Sequence, residues 1–230
     1  MTMRLSARLV RRVNETPDVV TLYFTVDNHP LDHVAGQYIT VYFDDTDVKQ
    51  GKAYSLSSAP SDPYSSITVK KIGLFSGKLH DLQVGDSMTI SQPYGFFYAH
   101  SDKPIVAIAA GVGIAPIWSI INHEVITKQT QQPIKLFYTN KTVDDIVFRA
   151  AIDKLADRHS NVTSRYFTTR QSSPPYVDHR ITVARDIVDV ADDCGYYVCG
   201  SQDFVRSMWR QLIEAGVHPD SISTETFFES

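Results

Sequence analysis

The chain has 230 residues, of which 43% are hydrophobic and 21% charged, the composition of a globular protein long enough for two domains of ordinary size. Its formal net charge of −4 provides no overall attraction to nucleic acid or to an anionic membrane, so we expect neither as a partner. No run of about 18 apolar residues occurs, which argues against a membrane span.

Cysteine and histidine usage narrows the possible chemistry further. Two cysteines, Cys194 and Cys199, are too few for a disulfide framework or for the ligands of an iron–sulfur cluster. The eight histidines show no metal-binding spacing, so we predict no metal site. Residues 1–12 are basic and lack an apolar segment, so they do not predict a signal peptide. A cytoplasmic protein is the resulting expectation.

The first hundred residues show the pattern of antiparallel β structure. Short segments rich in Val, Ile, Thr, Tyr and Phe are separated by Gly, Pro, Asn or Asp. The predicted strands are residues 5–13, 19–26, 38–43, 66–71 and 87–91, and a short helix is predicted at 76–82. Such a succession of short strands predicts a small barrel or sandwich.

The pattern changes after Pro104. Residues 105–110 form a continuous apolar run, which is typical of a parallel strand buried on both faces. The predicted helices are 115–127, 144–159 and 203–215, and they alternate with strands at 134–139, 162–168 and 196–199. This alternation predicts a doubly wound parallel α/β sheet. We therefore expect one domain at residues 1–100 and a second at 101–230, with the boundary near residues 100–103.

The segment Lys52-Ala53-Tyr54-Ser55-Leu56-Ser57 combines a cation, an aromatic ring and hydroxyl groups. A rigid ring such as that of Tyr54 suits packing against the apolar isoalloxazine ring of a flavin. Together with Gly36-Gln37-Tyr38, the segment resembles the "RxYSL(S/T)" and "GQY/F" motifs of the flavin-dependent ferredoxin–NADP reductase superfamily. Lys52 stands where the family usually has Arg, so the planar fork that binds phosphate bidentately is missing.

The resemblance implies further flavin contacts in the barrel. Gly73 and Ser76 resemble the family's "GxxS" turn, where backbone amides approach the flavin phosphate at a helix start, and Ser76 is predicted to be the N-cap. Residues 93–97 resemble the family's "GPxGxF" segment that closes the barrel. The implied flavin set is Lys52, Tyr54, Ser55, Leu56, Val69, Lys70, Gly73 and Ser76.

The segment Gly111-Val112-Gly113-Ile114-Ala115-Pro116 follows the apolar run and opens a predicted helix. Glycines let the backbone approach a pyrophosphate, and the start of the helix presents free N–H groups to it. Pro116 is tolerated in the first helical turn because an N–H there would have no partner within the helix. The segment resembles the family's "GxGxxP" turn. Residues 138–148, with Asn140 and Lys141, resemble another family stretch, and Arg170 falls where NADP-using members often carry Arg. NADPH and NADH both stay open as the coenzyme.

Two late segments complete the resemblance. Cys199-Gly200 resembles the "CG" motif, which in the family lies beside the nicotinamide C4, and Glu225-Thr226-Phe227-Phe228 resembles the C-terminal "ExF" motif. Phe227 is then expected to cover the flavin face opposite Tyr54. The implied catalytic residues are Ser55, Cys199 and Glu225, with Glu225 close to the other two.

The resemblance implies a stand-alone flavoenzyme. Electrons would pass from NADPH or NADH, through FAD rather than FMN, to a one-electron carrier such as ferredoxin or flavodoxin, or to a partner oxygenase. One alternative is an NAD(P)H:flavin reductase whose flavin dissociates as a substrate. Another is a non-catalytic subunit that relays electrons or senses nucleotide in a complex.

Overall fold

The computed structural model describes residues 4–99, 102–172, 174–187 and 193–227. Within these ranges the chain forms a six-stranded antiparallel sheet followed by a five-stranded parallel sheet with helices, which confirms the predicted fold class. We call the first sheet with its helix and connecting loops, up to residue 99, the barrel lobe, and the second sheet with its helices and connecting loops, from residue 102, the α/β lobe. The predicted domain boundary at His100 and Ser101, and Phe228 of the C-terminal motif, lie outside the described residues.

The barrel lobe has the strand order β4-β3-β6-β1-β2-β5. Its strands are β1 (Arg4–Thr16), β2 (Val19–Val26), β3 (Tyr38–Tyr42), β4 (Lys52–Ser55), β5 (Ser65–Lys70) and β6 (Ser87–Ser91). The end strands meet through a backbone bridge between Leu56 and Ile67, and the Ser57 N–H donates to the Ser66 carbonyl at 2.8 Å. These contacts close the sheet on itself around an apolar core.

Helix α1 (Leu74–Asp81) follows β5 and packs Phe75 and Leu79 into the barrel core. It begins two residues earlier than predicted, so Ser76 is its third residue and not its N-cap. The Ser76 hydroxyl instead reaches back and accepts hydrogen bonds from the N–H groups of Ile72 and Gly73, at 2.9 and 3.1 Å. Serine satisfies orphan amides at a helix start from this position as well as from the N-cap.

The α/β lobe has the strand order β11-β10-β7-β8-β9, with all neighbours parallel. Its strands are β7 (Ile105–Ala110), β8 (Ile134–Asn140), β9 (Val162–Thr168), β10 (Gly195–Ser201) and β11 (Ile222–Phe227). Its helices are α2 (Ile114–Asn122), α3 (Arg149–Arg158), α4 (Val183–Asp186) and α5 (Gln202–Glu214). From β7 the chain builds outward to β9, then crosses to β10 on the other side of β7. This reversal is a topological switch point, where open α/β sheets bind ligands beyond the carboxyl ends of their strands.

Two predicted helices are shorter than expected. The helix predicted at 115–127 is α2 followed by a π-helical turn at His123–Thr127. The helix predicted at 144–159 splits into a 3-10 turn at Val143–Asp145 and α3. Phe148 separates the two parts with a φ of 59°, a conformation that interrupts a right-handed helix.

The lobes share part of their packing. Val19, Ala35 and Phe97 of the barrel lobe belong to the apolar core of the α/β lobe. The Phe97 ring meets the edge of the Tyr197 ring with 5.9 Å between centroids. Among the residues described, no helix has the length and apolar character of a membrane span.

Candidate active site

The turn after β7 is held tightly against the end of β10. Gly111 has a φ of 53°, which favours glycine, and a Cβ on Gly113 would lie 2.4 Å from the Cys199 carbonyl oxygen. The buried Tyr138 hydroxyl donates to the Gly111 carbonyl at 2.9 Å and accepts from the Val147 N–H at 3.3 Å. The two glycines therefore have different roles, one in turning the chain and the other in allowing close contact with β10.

A crevice of about 490 Å³ opens at this switch point. Side chains and backbone of both lobes line it. Its predicted members are Lys70, Gly111, Asn140, Lys141, Arg170, Gly200 and Phe227, and Asp18, Ile72 and Arg180 also line it. Gly113 and Pro116 are buried and are not among its lining residues.

Asn140 is the crevice residue whose structure points most directly to a ligand. It is only 6% exposed, and neither amide atom makes a hydrogen bond of good geometry, because the neighbouring Tyr138 hydroxyl is engaged by the Gly111 carbonyl and the Val147 N–H. A buried amide without partners is costly, at about 1–3 kcal/mol per unsatisfied group. A nicotinamide nucleotide, rich in polar groups, fits this side chain and the open backbone of Gly111, which lines the same crevice.

Three cations, Lys141, Arg170 and Arg180, line the crevice together with the carboxylates of Asp145 and Asp203. The Arg170 N–H donates to the Lys141 carbonyl at 2.9 Å, so the ends of β8 and β9 present their cations at one edge. Arg180 lines the same space. Asp145 is engaged by the N–H and hydroxyl of Thr142, at 2.8 and 2.7 Å. Among the described residues these three cations form no ion pair, which suits them to phosphate.

The flavin-motif residues of the barrel gather around Phe75. The Tyr54 ring lies nearly parallel to the Phe75 ring at 6.4 Å, and the Lys52 Nζ lies 5.9 Å from the Phe75 centroid. Gly73 at the start of α1 has open space where a Cβ would lie, so a ligand can approach the first-turn N–H groups of the helix. The residues present therefore fit the phosphates of a flavin nucleotide.

Three other predicted flavin residues differ in exposure and charge. Leu56 and Val69 are 0% and 1% exposed and belong to the barrel core, so only their backbone is available to a cofactor. Lys70 lines the crevice and pairs with Asp18, with 3.2 Å between its Nζ and the Asp18 Oδ2. Asp18 was not predicted as a site residue, and an isolated Asp after Pro17 carries no sequence signal for this role.

The structure brings Ser55, Glu225 and Cys199 together. The Ser55 hydroxyl donates to the Glu225 Oε2 at 3.2 Å, and Glu225 lies directly opposite Cys199 in the parallel β10–β11 pair. Burial raises the pKa of the Glu225 carboxyl to about 7, an effect that the hydrogen bond from Ser55 partly offsets. Burial, together with the nearby Glu225 carboxyl, also raises the pKa of the Cys199 thiol well above its usual range. A neutral thiol of this kind is a packing group and not a nucleophile.

A second cavity, of about 570 Å³, has Glu225 in its wall and is otherwise lined largely by aromatic residues. Tyr38 and Tyr94 pair through their backbones on its barrel side, with both N–H to carbonyl distances at 2.8 Å. Tyr38 lies opposite Ser55 in the β3–β4 pair. Flat aromatic walls suit a planar ring system. The "GQY/F" motif contained the signal for Tyr38, which was not among the predicted site residues.

Comparison with known proteins agrees with this geometry. The family model "Oxidoreductase FAD-binding domain" matches residues 6–98, and "Oxidoreductase NAD-binding domain" matches residues 107–210. A flavohemoprotein of Bacillus subtilis is 33% identical over 233 residues, which are 95% of this chain and 58% of that protein. The chain thus spans less than two thirds of the length of this relative.

Two solved structures show the same fold over nearly the whole chain. The flavohem-like FAD/NAD-binding domain of nitric oxide dioxygenase from Vibrio cholerae has a TM-score of 0.88 at 25% identity, covering 97% of this chain and 98% of that one. Ferredoxin–NADP+ reductase from Plasmodium falciparum has a TM-score of 0.82 at 14% identity, covering 97% and 96%. The chain thus belongs to the oxidoreductases that combine an FAD-binding and an NAD-binding domain in this order, and it has the fold of ferredoxin–NADP+ reductase.

Proposed function

We propose that this protein takes electrons from NAD(P)H and passes them through FAD to a separate one-electron acceptor, either a carrier such as ferredoxin or flavodoxin or a partner oxygenase. The observation that carries the proposal is the hydrogen bond between Ser55 of the flavin motif and Glu225 of β11, beside Cys199. It joins the flavin side of the barrel lobe to the nucleotide side of the α/β lobe.

FAD supplies the redox chemistry when bound, because it accepts a hydride from a nicotinamide and can release the electrons singly. The protein's own residues bind, orient and exclude water. Asn140 offers an amide to the coenzyme, Gly111 presents open backbone to it, and Gly113 lets the nucleotide turn lie against the end of β10. Near neutral pH the Glu225 carboxyl is partly protonated, so it can hold or release a proton at Oε2, where Ser55 contacts it.

The names of the relatives support an oxygenase as one acceptor class. The Bacillus subtilis relative is a flavohemoprotein, and the Vibrio cholerae domain is part of a nitric oxide dioxygenase. A haem-containing oxygenase is therefore the acceptor to compare with ferredoxin and flavodoxin. Such carriers dock through complementary surfaces, which mainly raise the association rate. Complementary surfaces are not marked by a sequence motif.

The flavin reductase alternative is favoured by a specific observation. Lys70 is already paired with Asp18, and Lys52 replaces the Arg that would grip phosphate bidentately. Both features weaken the hold on the flavin tail. Retention of flavin therefore decides between a bound cofactor and a dissociable substrate.

One experiment separates these functions. The purified protein is loaded with FAD, passed through gel filtration, and assayed for NADPH and NADH oxidation with ferricyanide, ferredoxin, flavodoxin or a haem acceptor. Retained flavin with turnover on a one-electron acceptor supports the proposal. Turnover that depends on added free flavin favours the flavin reductase, and no NAD(P)H oxidation with any acceptor refutes an enzymatic role. Ser55, and Cys199 as a packing group beside the nicotinamide, are the site residues that the family resemblance implies. We therefore expect lost turnover in Ser55→Ala and Cys199→Ala with FAD still bound, and unchanged rates in both would contradict these roles.

A further inference from the structure

One serine joins the two lobes behind the active site. Ser119 lies in the middle of α2 and is 0% exposed. Its hydroxyl donates to the Ser58 carbonyl at 2.6 Å and accepts from the Gly36 N–H at 3.3 Å. Both partners belong to the barrel lobe, so a single side chain of the α/β lobe holds two barrel segments.

The three segments joined by Ser119 are those that carry the binding motifs. Ser58 follows Ser55 by three residues, and Gly36 precedes Tyr38, which pairs with Ser55 across β3 and β4. Helix α2 begins directly after the nucleotide turn at Gly111–Gly113. The Ser119 contact therefore connects the flavin motif to the nucleotide turn through helix α2 and the residues that flank β3 and β4.

The Gly36 backbone of the barrel lobe packs closely against the Ile120 side chain of α2. Gly36 has a φ of 95°, and a Cβ there would lie 1.9 Å from the Phe97 carbonyl oxygen and 3.0 Å from the Ile120 Cδ1 of α2. The buried His33 holds the same loop from the barrel side, with its Nε2 3.2 Å from the Ser58 carbonyl and its Nδ1 2.8 Å from the Leu31 carbonyl. Gly36 therefore has no room for a side chain at this contact, and Ser58 is held from both lobes.

We propose that Ser119 is a positioning residue for electron transfer from the coenzyme to the flavin. Its hydroxyl fixes the nucleotide turn of the α/β lobe relative to the flavin motif of the barrel lobe. A displacement of about 1 Å between reacting groups can slow a reaction roughly a hundredfold, so a rigid inter-lobe contact matters even away from the site. The kinetic part of this inference rests on the proposed function, whereas the contact itself does not.

Ser91 provides a matched control. Like Ser119 it is 0% exposed, donates to a carbonyl at 2.6 Å (that of Gln92) and accepts from a backbone N–H (that of Thr40, at 2.9 Å). All of its bonds stay within the barrel lobe. Ser119→Ala and Ser91→Ala therefore remove the same chemistry, and they differ in whether the lost bonds cross between the lobes.

The test compares both variants with the wild type in the FAD-loaded protein. Hydrogen exchange is measured at the Gly36 and Thr40 amides, together with the Kd values for FAD and coenzyme. The rate of flavin reduction is measured at saturating NAD(P)H. In Ser119→Ala we expect Gly36 exchange to accelerate, and the saturated rate to fall about tenfold or more with both Kd values within about twofold. In Ser91→Ala we expect faster exchange at Thr40 and a reduction rate within about twofold of wild type.

Each arm has an outcome that overturns the inference. A wild-type reduction rate in Ser119→Ala, or an equal loss of rate in Ser91→Ala, refutes the positioning role. Unchanged Gly36 exchange in Ser119→Ala refutes the inter-lobe contact itself. If NAD(P)H does not reduce FAD in the wild-type protein, both the proposed function and the positioning role are refuted. This outcome is distinguishable from the others because it is observed in the wild type, without any substitution.

Discussion

Glu225 is expected to make the protein less stable as the pH rises toward neutrality. Burial raises the pKa of its carboxyl from 4.5 to about 7 in the folded protein. Since the folded state holds this proton more tightly than the unfolded chain, the stabilising contribution is fully present below pH 4.5 and is lost as the pH rises through about 7. The separation of about 2.5 pH units corresponds to roughly 3 kcal/mol of unfolding free energy.

Glu225→Gln removes this titration while keeping an acceptor for the Ser55 hydroxyl. The free energy of unfolding is measured with urea on the cofactor-free protein from about pH 4 to about pH 8. The variant should gain roughly 3 kcal/mol relative to wild type between these limits, with most of the change between pH 4.5 and about 7. Glu214→Gln changes an exposed carboxylate at the end of α5 and is the matched control, which should follow the wild-type curve. Parallel curves for wild type and Glu225→Gln would refute the reasoning.

Four further substitutions test the nucleotide turn and its crevice. Gly113→Ala places a Cβ 2.4 Å from the Cys199 carbonyl oxygen and should lower the unfolding free energy by about 3 kcal/mol, whereas Gly111→Ala, in open space at positive φ, should lower it by about 1 kcal/mol. Equal losses of unfolding free energy in urea would contradict this difference. Asn140→Leu removes an unpaired buried amide, so it should raise the unfolding free energy of the cofactor-free protein by about 1–2 kcal/mol and weaken coenzyme binding, measured by calorimetry, about tenfold. A destabilised variant with normal coenzyme binding would count against a ligand role for Asn140. Arg170→Ala should lower kcat/KM for NADPH about tenfold and change that for NADH less than about twofold, and an equal effect on both would place Arg170 away from the 2′-phosphate.

The fold and the grouping of motifs could be predicted because they depend on local patterns. Alternating β-rich segments and the apolar run before Gly111 predict the two kinds of sheet, and parallel strands bring their carboxyl ends to one edge. That rule is enough to place Gly111, Asn140 and Gly200 around a shared crevice, as the structure has them.

Contacts that depend on how the two lobes pack together have no such local pattern in the sequence. Ser119 is a serine inside an apolar helix, and its partners, Ser58 and Gly36, lie more than sixty residues away at separations of 61 and 83. Asp18 beside Lys70 is likewise set by tertiary packing. Phe148 interrupts a predicted helix by adopting a positive φ, for which its own side chain has no preference.

The most direct test of the central claim is anaerobic addition of NADPH or NADH to the FAD-loaded protein, with the visible flavin absorbance recorded. We predict that FAD stays bound through gel filtration and that its absorbance bleaches when coenzyme is added. A protein that binds no flavin from excess FAD or FMN, or whose bound flavin is not reduced by either coenzyme, would contradict it.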